Sequence, residues 1–85
     1  MKCDQKIINR LKRAEGQMRG IQKMMIEGQD CYEMMIQLSA VRSSVDNIMG
    51  IMAAENLKYS LEHPLADEAA QEAQVQQAMA MIQRK

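Results

Sequence analysis

Phenylalanine and tryptophan are missing from this chain, and it holds one proline, one histidine and two cysteines. Each shortage excludes something. With a single histidine there is no Ser-His-Asp arrangement, and neither a nucleotide-binding loop nor a pair of catalytic carboxylates can be picked out, so an enzyme is not expected. Two cysteines, Cys3 and Cys31, make no disulfide framework. Unpaired thiols of this kind read as reactive, metal-binding or simply buried groups. No apolar run approaches the roughly 18 residues of a membrane span. No charged-then-apolar leader opens the chain, so the cytoplasm is the expected compartment. Repeats, linkers and low-complexity tracts are also missing, and residues 1–85 read as a single domain. What remains is rich in Ala, Met, Gln, Glu, Lys and Leu, which favours an all-α fold.

Charge balances overall but not along the chain. Residues 1–28 carry Lys2, Lys6, Arg10, Lys12, Arg13, Arg19 and Lys23 against Asp4, Glu15 and Glu27. The remainder is acidic by the same margin. The asymmetry points to a basic face on the first segment, although a solvated helix face has the same composition.

The stretch Asp30 to Ser60 organises everything else. Asp30 can cap a helix by accepting from a first-turn amide, with Glu33 three residues on completing a box-like cap. Cys31 then takes the first helical position, where positive partial charge from unsatisfied amides favours a thiolate. A small buried hydrophobe is the competing reading of that cysteine. Apolar or small residues at 34, 38, 41, 45, 48 and 52 follow steps of four and three, the spacing of a helix–helix seam. Gly50 is the one interruption, at a cost of about 1 kcal/mol against alanine.

Before it, residues 4–27 read as helix 1. Ile7, Leu11, Ala14, Met18, Ile21 and Met25 form an apolar stripe, and Arg10, Arg13 and Gln17 share another face. Gly16 and Gly20 either admit a close backbone approach or weaken the helix. Gly28-Gln29 is too short for anything but an antiparallel hairpin of helices. Helix 2 runs over 31–61 and ends at Glu62-His63-Pro64. Helix 3 is expected over 65–83, with Leu65, Ala69, Ala73, Ala80 and Met81 available for packing. A helix of about 30 residues is roughly 45 Å long. So short a chain cannot cover it, which implies an oligomer whose partner subunits complete the core.

The other sulfur and imidazole groups have plain readings. Ten methionines could bind a soft metal, but many of them fall on the helical stripes, where a flexible side chain packs a core. His63 reads as an exposed residue at a helix end, and Cys3 lies at a terminus expected to fray.

Together, Asn9 to Ile21 (NRLKRAEGQMRGI), Cys31 and Gln37 to Arg42 (QLSAVR) resemble the copper-sensitive operon repressor (CsoR-type) family, whose members include nickel/cobalt, formaldehyde and persulfide sensors. The resemblance spans most of residues 5–62. It implies an all-α, three-helix protomer: an antiparallel hairpin that forms a four-helix-bundle dimer and pairs into a flat tetramer. It implies a repressor that grips double-stranded operator DNA without a helix-turn-helix and lets go when an inducer binds. Copper sensors of the family carry Cys, His and Cys where this chain has Cys31, Asn56 and Ser60, so that triad is broken at two of three places. The persulfide-sensing (CstR-type) branch is more similar: it has the Glu55-Asn56-Leu57 run and the Lys23–Cys31 segment, but a second cysteine at the place of Ser60. Ser60 is therefore either a substituted cysteine, leaving an inducer-blind variant, or natural divergence in which Cys31 acts alone or with Cys3. Lys2, where the formaldehyde branch has proline, counts against that branch.

What the resemblance implies for the site follows residue by residue. Cys31 is the sensor thiol, Ser60 its partner position, and Asn56, Cys3 and Tyr32 its neighbours. Arg10, Arg13, Arg19 and Arg42 would sit on phosphates, with Gln17 the candidate for a base edge. The inducer would be sulfane sulfur, with no resident cofactor. A Cu(I) sensor using Cys31 with Cys3 or His63 is the alternative within the family, and a structural helical oligomer with no DNA role is the alternative outside it.

Overall fold

The computed structural model describes residues 2–84 and contains three helices: α1 (Gln5–Ile26), α2 (Cys31–Glu62) and α3 (Glu68–Arg84). No strand occurs among the described residues. The all-α expectation holds.

Local chemistry sets each boundary. Asp4 caps α1, its carboxylate accepting from the Ile7 amide at 3.0 Å. At the other end Gln29 N–H donates to the Met24 carbonyl at 3.0 Å and Gly28 N–H to that of Met25 at 3.1 Å. This pair of bonds is a Schellman motif, and it needs a left-handed residue at Gly28, whose φ is +87°. Asp30 caps α2 by accepting from Glu33 N–H at 3.3 Å. α2 then continues unbroken through Gly50 for 32 residues.

The third helix starts later than the sequence implies. Leu65 lies outside it and is exposed, because Asp67 provides the cap, accepting from Ala70 N–H at 3.0 Å. Its inward face differs too. Ala69, Ala73 and Ala80 are exposed, whereas Ala78 is fully buried and Ala70, Gln71, Gln74, Val75 and Met81 are half-buried. Two glutamines sit on that face, so an apolar pattern alone could not locate it.

The described residues divide into two compact units, one of them Asp4–Ile48 and the other built from Met49 onward, with Lys2 and Cys3. In the first, α1 buries Ile7, Ala14 and Ile21, and α2 buries Met34, Val41 and Ile48. Each series steps by seven and the two run in opposite directions from the Gly28 turn, as an antiparallel seam requires. Ile21, Met34 and Val41 form its centre, with Met24 and Val45 packed on them. The intervening positions of the α1 stripe stay open: Leu11, Met18 and Met25 are 57%, 47% and 46% exposed. In the second unit α2 contributes Ala53 and Ser60, and α3 contributes Ala78. The seven-residue spacing breaks between Ile48 and Ala53, where α2 passes from one unit to the other.

Candidate nucleic-acid interface and sensor positions

The antiparallel seam creates a hollow. Ala14 on α1 and Ser44 on α2 are small where their neighbours along the seam are Ile, Met and Val. An open depression of about 430 Å³ lies over them, lined also by Arg10, Arg13 and Gln17. Three of the residues expected on DNA are thus brought together, and among the described residues no carboxylate lines the hollow. Among the described residues neither Arg10 nor Arg13 makes an ion pair. Two guanidinium groups and a carboxamide over small side chains suit an anion with neutral hydrogen-bonding groups beside it. Ser44 gave no signal as a functional residue in the sequence. Its spacing from Val41 and Ile48 on the α2 stripe places it at the seam once the register with Ala14 is known.

The other two arginines stand apart from this hollow. Arg42 lines a second depression of about 260 Å³ with Met35, Leu38 and Ser39. Arg19 pairs with Glu15 at 3.6 Å, one turn away on α1, with both side chains largely exposed. A pair so exposed contributes little, so Arg19 can exchange its partner freely.

On the thiol side, Cys31 is the first residue of α2 and is exposed, as are Cys3 and Tyr32. The buried-hydrophobe reading of Cys31 therefore fails within the protomer. Ser60 is the opposite case, 1% exposed, with Oγ donating to the Asn56 carbonyl at 2.9 Å. Asn56 and Ser60 are one turn apart on α2 and belong to the second unit, Cys31 to the first. A residue that the sequence reading did not single out enters here: Gln71 Nε2 donates to the Ser60 carbonyl at 3.2 Å. The proline at 64, which takes a donor out of the end of α2, is the one hint of it.

His63 is exposed and stacks on Tyr59, ring centroids 4.3 Å apart and planes 21° from parallel, with Nδ1 3.2 Å from the Tyr59 carbonyl oxygen. Among the described residues no three His, Cys, Asp or Glu side chains come close enough together to hold a metal ion. Met49, Met52 and Met81 line a small apolar hollow with Arg84. No helix among the described residues is long and apolar enough to cross a membrane.

Comparison with known proteins places the chain in a family. The copper-sensing transcriptional repressor CsoR of Bacillus subtilis is 41% identical over 61 residues, 72% of this chain and 56% of that protein. The copper-sensing transcriptional repressor RicR of Mycobacterium tuberculosis is 34% identical over 58 residues, 68% of this chain and 60% of that protein. The chain thus spans less than two thirds of the length of these curated relatives. Among solved structures the nickel-responsive transcriptional regulator InrS superposes with a TM-score of 0.69 at 30% identity, covering 98% of this chain and 88% of that one. The family described as metal-sensitive transcriptional repressor matches residues 4–84, and the chain belongs to that family.

Proposed function

We propose that the chain is a repressor of transcription, one domain acting in the cytoplasm as a homo-oligomer, that holds double-stranded operator DNA through α1 and releases it after thiol chemistry at Cys31. The unpaired Arg10 and Arg13 beside Gln17 support the DNA part. Arg19 and Arg42 add further phosphate contacts, which position the protein and make binding salt-dependent. The open Leu11, Met18 and Met25 series supports assembly, since partner subunits would cover it. A dimer of dimers is the assembly that fits the family resemblance.

The single observation that carries the inducer reading is the donor set. Cys31 supplies one sulfur ligand, but the positions that complete the copper triad hold Asn56 and Ser60, which offer only oxygen or amide donors. Soft Cu(I) prefers thiolate and thioether ligands, so these residues do not fit it. A lone exposed cysteine suits sulfur transfer. The Cys31 thiolate attacks the outer sulfur of a low-molecular-weight persulfide, the S–S bond breaks, and the thiolate of the donor leaves. A second thiol then attacks the new Cys31 persulfide, forming a disulfide and releasing hydrogen sulfide. Ser60 cannot serve as that second thiol, which leaves Cys3 or a thiol of another subunit. A cross-link between subunits would change the spacing of the basic faces.

Metal sensing is the second reading, favoured by the copper- and nickel-responsive relatives. A gel-shift titration separates the two. A persulfide donor is expected to weaken operator binding, more strongly in a Ser60→Cys variant, and Cys31→Ser is expected to abolish the response. Operator affinity unmoved by the donor in the unaltered and Ser60→Cys chains, alongside stoichiometric Cu(I) binding that releases DNA, would replace sulfur sensing with metal sensing.

A further inference from the structure

Pro64 leaves a carbonyl without its helical partner. In a continuing helix the Ser60 carbonyl would accept from the backbone N–H of residue 64, and proline has none. Gln71, in the first turn of α3, takes over: its Nε2 donates to that oxygen at 3.2 Å. Its Oε1 accepts from the Leu65 backbone N–H at 2.7 Å and from Gln74 Nε2 at 3.0 Å. The partners decide the orientation of the amide. A backbone N–H only donates and a carbonyl only accepts, so Oε1 faces Leu65 and Nε2 faces Ser60. One side chain therefore ties α3 to the last turns of α2 and to the link between them. The position it grips is closed to solvent, with Ser60 1% exposed and its hydroxyl already bonded to the Asn56 carbonyl.

We propose that Gln71 is a latch: it supplies the hydrogen bond that Pro64 withholds from Ser60, holds α3 on position 60, and must let go before a group at that position can react. Its consequence for induction rests on the reading above and applies to a chain with Ser60→Cys, in which position 60 supplies the second thiol that serine cannot. The latch itself does not. If both hold, α3 reports what happens at position 60, because any shift of the Ser60 carbonyl is felt at Gln71 and through it at Leu65 and Gln74.

The test is the rate at which a thiol at position 60 reacts with a water-soluble disulfide reagent. The full-length chain would carry Ser60→Cys with Cys3→Ser and Cys31→Ser. With Gln71 present the reaction is slow. Gln71→Leu is expected to accelerate it about five-fold or more, the factor by which losing one net hydrogen bond shifts a local opening equilibrium. Adding Pro64→Ala, which restores an N–H at 64, is expected to slow it again. An unchanged rate in the Gln71→Leu variant, with helix content and assembly mass intact, would overturn the proposal, and so would the absence of rescue by Pro64→Ala. If Gln71→Leu does not fold, hydrogen exchange on the unaltered chain decides. A Leu65 amide protected relative to that of Ala66 supports the latch, and equal exchange overturns it. Neither measurement involves operator DNA or inducer, so a failed latch and a failed repressor reading give different results.

Discussion

Gly28 is where a single residue does most for the shape of the first unit. Its φ of +87° lies in the left-handed region, and both Schellman bonds that end α1 depend on it. Nothing lies within 4 Å of where a Cβ would stand, so a substitution there meets no steric obstacle beyond the backbone angle itself. Gly28→Ala is therefore expected to destabilise the protein by about 1–2 kcal/mol, the cost of a left-handed L-residue, as read from a urea unfolding midpoint. Gly16 and Gly20 contrast with it. Both are helical, and nothing within the protomer approaches either one, so no close backbone contact inside the chain accounts for them.

At the scale of the element, α1 has two working faces. One buries Ile7, Ala14 and Ile21 against α2, and another carries Arg10, Arg13 and Gln17 around the hollow over Ala14. Separating them on one helix lets charge stay hydrated while the seam stays dry. Arg13→Ala leaves the seam untouched, so unfolding should be little changed. Operator affinity should fall similarly for all sequences, and the slope of log affinity against log salt should lose about 0.9, the value for one phosphate contact. A salt-independent interaction would favour the structural-oligomer alternative. The spacing by three and four made this face legible in the sequence. Ser44 was not legible, because its place depends on how α1 and α2 register. The α3 face was hidden for a different reason: its half-buried positions include Gln71 and Gln74, polar side chains whose burial is compensated by hydrogen bonds that no periodicity reports.

For the whole molecule, the surface left open on the protomer carries the argument. Leu11, Met18 and Met25 recur every seven residues on α1, in step with the buried series but uncovered. A seam half closed within the chain and half open is what an oligomer built on helix pairs would complete. Met18→Glu places a charge in the middle of that open half. It is expected to lower the mass measured by sedimentation equilibrium while the monomer keeps its helix content by circular dichroism. An unchanged mass would mean that assembly uses another face.

By itself the sequence determined α1, α2 and the presence of a third helix, though not where α3 starts, because capping residues, the Gly28 turn, Pro64 and the four-and-three spacing act over a few residues and leave their mark in local order. It also determined that Cys31 begins a helix and that the basic residues cluster on α1. Only the tertiary structure decided which half of the α1 stripe is buried, that Cys31 is exposed while Ser60 is sealed, and that Gln71 answers the carbonyl left open by Pro64. Those outcomes depend on what reaches a side chain from elsewhere in the chain, and a linear pattern does not contain that.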